Sequence, residues 1–244
     1  MNHLAHALLA DESPECVLGA LAADFIRPPV VPLLPAAVQR GVFQHRHVDG
    51  FTDRHPVVQR SIGRISKNWG WFSGIIIDVY YDHLLGLAWA EYAPEPLGPF
   101  VERVAGFVRA TITHLPEPHR PDVMRFANPE RLASYAVPDL SGIERAFGRI
   151  SDVIAERMPS RAVRLERAVP ELRGLHPELA SDFAEFFPDL RRFAADWLRS
   201  HPLGFPEPLP PTPSPKRRGV EERSSDSPSP LRGGGWGEGL PPLT

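Results

Sequence analysis

Four places in this 244-residue chain set ionisable side chains where apolar ones would be expected. The sharpest is WFSGIIIDVYYDHLLGLAWA, where Asp78 and Asp82 stand at i, i+4 and share a helix face, with His83 about 100° further round. Ile75, Ile76, Ile77, Val79, Leu84 and Leu85 leave those charges no exposed side. A carboxylate buried in such company is tolerated only beside an arginine or a metal ion. In QHRHVDGFTDRHP, His45, Asp49 and Asp53 recur at i, i+4, i+8, which puts an imidazole and two carboxylates on one face of a continuing helix. MNHLAHALLA offers Asn2, His3 and His6, with the histidines one turn apart. GALAADFIRP places Asp24 after a run of Ala and Leu, with Arg27 three residues on. Taken singly, these have ordinary readings: a satisfied core histidine, a capping or salt-bridged carboxylate, a solvated helix face. Taken together, they are oxygen and imidazole donors without thiolates, a set that suits Mn2+, Mg2+ or Fe2+ better than a structural zinc.

The elements that must position these groups all read as helices. Apolar spacing predicts helices over 2–10, 13–25, 36–51, 57–68, 97–115, 121–136, 139–157, 160–168 and 176–199, with one long buried helix over 71–92. Ser13 is placed to N-cap the second helix, with Pro14 at its first position. Pro28, Pro29, Pro32 and Pro35 force a connector. No stretch alternates with the period of two that a half-buried strand would show. The expected fold is all-α, a single-domain helical bundle over 1–201. Beyond it, residues 202–244 are about half Pro, Gly and Ser, a composition that cannot offset the entropy of ordering, so a disordered tail is expected.

Composition narrows the function. A net charge of -3 gives no basic field, and nucleic acid is not an expected partner. The single cysteine, Cys16, excludes an intrachain disulfide and a thiolate zinc site, which points to a reducing, cytoplasmic setting. The N-terminal stretch lacks the basic region of a signal peptide and is interrupted by His3, His6, Asp11 and Glu12. Residues 71–90 have the length of a membrane span, but each Asp there would cost roughly 2.5 to 3.5 kcal/mol on insertion, so no span is expected.

In chain order, MNHLAHALLA, LAADFIR, HRHVDGFTDRHP and DVYYDHLL followed by a Trp resemble the acyl carrier protein phosphodiesterase family, the holo-acyl-carrier-protein hydrolases, over about residues 1–195. The resemblance implies an all-helical fold distantly related to the HD-domain phosphohydrolases. It also implies Mn2+-dependent hydrolysis of the phosphodiester between a carrier-protein serine and 4'-phosphopantetheine. Its polar positions fall on Asn2, His6, Asp24, Arg27, His45, Arg46, Asp49, Thr52, Asp53, Asp78, Asp82 and His83. The implied metal ligands are His6, Asp24, His45, Asp78 and Asp82, and the implied acid, base and water-holding groups are Asp24, His45, Asp82 and His83. Arg27 and Arg46 are expected on phosphate oxygens, with Asn2 as a further substrate contact. Ala20 stands where the family often has a polar residue, Pro28 where it has Gly, and His3 where an apolar residue is common.

The partner implied is holo acyl carrier protein. Arg40, Arg46, Arg54, Arg60, Arg64 and Lys67, set against Asp49 and Asp53 alone, are expected to form a basic surface that receives an acidic carrier helix. Two other readings compete: an HD-like phosphohydrolase acting on a nucleotide or other small phosphoester, and a non-catalytic helical binding protein whose polar cluster only specifies packing.

Overall fold

The computed structural model describes residues 1–203, and every regular element among them is helical. Twelve α-helices follow one another: α1 (His3–Leu9), α2 (Pro14–Ala22), α3 (Ala36–Arg54), α4 (Pro56–Trp69), α5 (Ser73–Leu87), α6 (Trp89–Tyr92), α7 (Leu97–Thr111), α8 (Arg120–Phe126), α9 (Pro129–Ala133), α10 (Ser141–Arg157), α11 (Val169–Gly174) and α12 (His176–Ser200). One apolar core runs from Met1 to Trp197 and contains Tyr80, Tyr81, Phe147, Phe186 and Phe187. No helix of the described residues is long and apolar enough to cross a membrane. The expected disordered tail lies almost wholly on residues outside those described.

Two local rules set the frame for the site. Ser13 caps α2 by accepting the Cys16 amide at 3.2 Å, with Pro14 at the first helical position, as its sequence predicts. α2 and α3 then press together through glycines. A Cβ on Gly19 would lie 2.0 Å from the Val38 carbonyl oxygen, and one on Gly41 would lie 2.0 Å from that of Cys16. Only bare backbone permits this approach. It brings the end of α2, with Asp24, against the face of α3 that carries His45 and Asp49.

Three predicted helices are broken. The span 71–92 opens as a 3-10 turn (Gly70–Phe72), runs as α5 and breaks at Ala88 before α6. There the Trp89 indole N–H reaches the Glu95 carbonyl at 2.8 Å and turns the chain. The span 121–136 divides at Asn128, whose side chain accepts the Arg131 amide at 2.9 Å and starts α9 with Pro129 at its first position. Asn-Pro was a legible start signal that apolar spacing overrode. Residues 160–168 form two 3-10 turns, Pro159–Arg161 and Leu165–Ala168, before α11.

Three of the six cations expected to form a basic surface over 40–67 are engaged within the chain. Arg60 and Arg64 donate to Asp182 of α12, at 2.8 and 2.9 Å from their Nε atoms, and Arg60 also reaches Glu185. Arg40 pairs with Asp11 and donates to the carbonyls of Leu198 and His201. Arg60 and Arg64 are thus engaged with α12, and Arg40 with Asp11 and the end of that helix.

Candidate metal-binding and catalytic centre

Helix α3 is the backbone of the site. His45 and Asp49 lie one turn apart on its inner face, and α1 lays His6 over them. The His6 and His45 rings stack with centroids 3.7 Å apart and planes 13° from parallel. Asp49 serves both rings, with Oδ1 3.1 Å from His6 Nε2 and Oδ2 3.1 Å from His45 Nε2. Asp24 adds a second carboxylate, its Oδ1 3.3 Å from His45 Nε2. One ligand atom from each of His6, His45 and Asp49 falls within 4.8 Å of the others, close enough to hold one ion.

Charge in the cluster is poorly balanced. Burial opposes protonation of His45, but Asp49 and Asp24 outweigh it and raise the imidazole to about 10. His6 goes the other way, pushed down to about 4 by burial and by the neighbouring charge of His45. Asp49 is held well below the usual carboxylate range, against its burial, by His45 and then His6. Asp78, from α5, receives the chain's first amino group at 3.2 Å, and that group also stands 3.7 Å from Asp49. Burial disfavours this ammonium, yet Asp78, Asp49 and more distant carboxylates raise it to about 11. Three carboxylates therefore share one imidazolium and one amino group.

The family model described as acyl carrier protein phosphodiesterase matches residues 1–190. The chain belongs to that family. A relative from Serratia proteamaculans, named acyl carrier protein phosphodiesterase, is 30% identical over 201 residues, covering 80% of this chain and 98% of the relative. One of the same name from Enterobacter sp. is 30% identical over 190 residues, covering 77% and 94%. A third, from Klebsiella pneumoniae, is 29% identical over 198 residues, covering 80% and 97%. No solved structure matches the chain.

In this acyl carrier protein phosphodiesterase family member, four of the expected ligands, His6, Asp24, His45 and Asp78, come together. Asp49, outside the expected ligand set, lies at their centre. Its signal was the i, i+4 spacing from His45, which the more apolar setting of Asp78 and Asp82 outweighed. Asp78 is 35% exposed, so α5 does have an open side, and this is the most exposed carboxylate of the cluster.

Asp82, expected in the ligand and catalytic set, is engaged away from the His6, His45 and Asp49 group. It is fully buried and spends both oxygens on the start of α1, accepting the amides of Leu4 at 2.7 Å and of Asn2 and Ala5 at 3.3 Å. Those amides have no partner within their own helix, so a carboxylate from α5 caps them and meets the positive end of the helix dipole. Burial pushes Asp82 up to about 7 in spite of these bonds. Its work is to hold α1, and with it His6, in place.

His83 is also displaced from the expected set. Its Nδ1 faces the Tyr135 carbonyl at 2.6 Å, and its ring packs by Tyr80. Asn2, expected on the substrate, caps α1 through the His3 amide at 2.8 Å and donates to the Tyr135 hydroxyl at 3.3 Å. Arg46 donates to the Ile26 carbonyl at 3.2 Å, and Arg27 is exposed at the end of the α2 turn.

Proposed function

We propose that this protein hydrolyses the phosphodiester joining 4'-phosphopantetheine to the serine of a holo acyl carrier protein, releasing the apo carrier protein and 4'-phosphopantetheine. The observation that carries the reading is Asp49 held between the Nε2 atoms of His6 and His45, with Asp24 behind, in a chain that belongs to a family of that name. Membership of an enzyme family argues against the non-catalytic reading.

A divalent cation, Mn2+ with Mg2+ or Fe2+ as alternatives, is part of this proposal, and the residues fit one. His45 Nδ1 lies 2.7 Å from the Ala20 carbonyl and donates to it, so an ion that displaced the Nε2 proton would find the Nε2 lone pair on the side of Asp49 and Asp24. A carbonyl fixing the outer nitrogen is the usual support of a ligating imidazole. His6, His45 and Asp49 would hold the ion, with Asp24 and Asp78 within reach of the same charges. When bound, it offsets charge on the phosphoryl oxygens and lowers the pKa of a water.

The chain's own side chains do the rest. The Ala20 carbonyl fixes the His45 ring through Nδ1, and without the ion Asp49 and Asp24 share its Nε2 proton. Asp78, the most exposed carboxylate of the cluster, accepts the proton released by the attacking water, and the departing serine oxygen takes its proton from solvent. Asp82 keeps α1 seated so that His6 stays over His45.

The pairing of Arg60 and Arg64 favours one other reading, a small phosphodiester taken without a carrier-protein docking surface. Incubation with holo carrier protein and with a panel of nucleotide diesters, each with Mn2+ and with chelator, separates the two. Loss of the prosthetic group from the carrier, seen by mass and dependent on Mn2+, is the expected result. Turnover of the nucleotides alone would overturn the carrier reading.

A further inference from the structure

A phosphodiester is an anion, and the carboxylates of the cluster repel it. Of the expected phosphate arginines, Arg46 donates to the Ile26 carbonyl and Arg27 is exposed three residues beyond Asp24. Two other arginines stand next to the site. Arg131, on α9, lies flat over the Phe126 ring with its guanidinium carbon 3.8 Å from the centroid. Phe126 in turn stacks on His3 at 4.2 Å and 17°, and His3 Nε2 is 4.0 Å from Asp24. The Arg131 guanidinium hydrogen-bonds the Tyr135 side chain, and its planar fork has further N–H groups for a second partner. Arg149, on α10, is half-buried, and its Nε is enclosed without a hydrogen-bond partner. Both arginines act on the Tyr135 hydroxyl, which is buried and receives the Asn2 amide at 3.3 Å.

Among the described residues no carboxylate forms an ion pair with Arg131 or Arg149. Arg131 feels Arg149 as a like charge: burial first, and then Arg149 and Arg125, pull it down to about 10 against the opposing effect of Tyr135. A partly desolvated cation without a counter-ion is a cost to the fold unless an anion arrives.

We propose that Arg131, Arg149 and the Tyr135 hydroxyl form the phosphoryl pocket of the site and bind the non-bridging oxygens of the substrate phosphodiester. The inference rests on the reading of the site as a carrier-protein phosphodiesterase, and supplies the anion recognition that the His/Asp cluster lacks. Phe126 and His3 act as positioning residues, a stack that ties the pocket to Asp24.

The test uses the full chain loaded with Mn2+ and three probes: 4'-phosphopantetheine, its dephosphorylated form pantetheine, and inorganic phosphate. Arg149→Gln is expected to weaken 4'-phosphopantetheine binding about tenfold or more, as loss of a charge-assisted bond predicts, and to raise KM for holo carrier protein in step. Pantetheine binding should not change, and the melting temperature should hold or rise as the like charge is removed. Arg131→Lys, which keeps charge and packing but loses the planar fork, should show the same loss in smaller measure and so reads the pocket even if Arg149→Gln folds poorly. Wild-type affinity for phosphate and 4'-phosphopantetheine in both variants overturns the pocket. If wild-type protein fails to release the prosthetic group from holo carrier protein yet binds phosphate through Arg149, the pocket stands and the carrier reading falls.

Discussion

Asp182 and Asp49 are both carboxylates set between helices, and what surrounds them differs. Asp182 is 2% exposed and accepts from Arg60 Nε at 2.8 Å, Arg64 Nε at 2.9 Å and Ser61 Oγ at 2.7 Å, so two guanidinium groups and a hydroxyl serve one acid. Asp49 shares a single imidazolium and an amino group with Asp24 and Asp78. In the first cluster every lone pair has a fixed donor, and the result joins α4 to α12. In the second, acids outnumber cations, and the positive charge that is present can be lost, because imidazole and amine release protons whereas guanidinium does not. Excess of acceptors over fixed cations separates a site that takes up something from a join that is already complete.

Replacing the two acids in turn should separate the clusters most widely. Asp49→Asn is expected to lower turnover by about 10² to 10⁴, the range for removing a group that acts on the reacting atoms. The melting temperature should fall only modestly, since His45 keeps Asp24 as a partner and can drop its proton once Asp49 is gone. Asp182→Ala should do the reverse. Arg60 and Arg64 cannot discharge, and removing their partner is expected to cost about 3 kcal/mol, the low end for a broken buried pair because both arginines reach solvent. Turnover well below the melting temperature should stay near wild type. Denaturant melts and a holo-carrier assay on both variants check this, and a matching profile in the two would erase the distinction.

Titration should move the clusters in opposite directions. Burial opposes ionisation of Asp182, but Arg64, Arg60 and Ser61 bring it down from 3.8 to about 2, so its contribution is present above pH 3.8 and fades as pH falls toward 2. His45 is raised from 6.5 to about 10, so in chelator-treated protein its contribution is full below pH 6.5 and is lost as pH rises through 10. Asp182→Asn should flatten the acid limb alone, and Mn2+ should flatten the alkaline limb alone. Acid and alkaline limbs that both respond to Asp182→Asn would show that the two clusters melt as one.

How far each cluster could be read from sequence follows from distance along the chain. His45 and Asp49 are legible because a helix places i, i+4 side by side, and His6, Asp24 and Asp78 because charge in apolar sequence demands a reason. Asp82 and His83 satisfied the same demand and still belonged elsewhere, since spacing cannot say that the partners of Asp82 are three backbone amides of α1. Asp182 gave no signal at all. It sits in an amphipathic helix among ordinary acids, and Arg64 lies 118 residues before it. The α-helical class was legible from period alone, whereas breaks at Ala88 and Asn128 depended on capping bonds that apolar spacing does not register.

The smallest expected effect is also the one that tests whether α4 faces a partner. Arg60 is 45% exposed and divides itself between Asp182 and the exposed Glu185, at 2.7 and 2.5 Å from Nη2. Arg64 is 30% exposed and sets a two-pronged fork on Asp182, Nε to Oδ2 at 2.9 Å and Nη2 to Oδ1 at 3.2 Å. Taking Arg60 away leaves Asp182 the whole of that fork and Ser61, while Glu185 returns to water. Arg60→Gln should therefore shift the melting temperature less than Arg64→Gln, and both less than Asp182→Ala. Neither should alter the salt dependence of holo-carrier turnover, because each guanidinium already faces an acid of its own chain and has little field left to steer an acidic partner. Slower association of holo carrier protein with Arg60→Gln, steepest at low salt and with melting unchanged, would make α4 a docking face and end the assignment of the Asp182 cluster to structure alone.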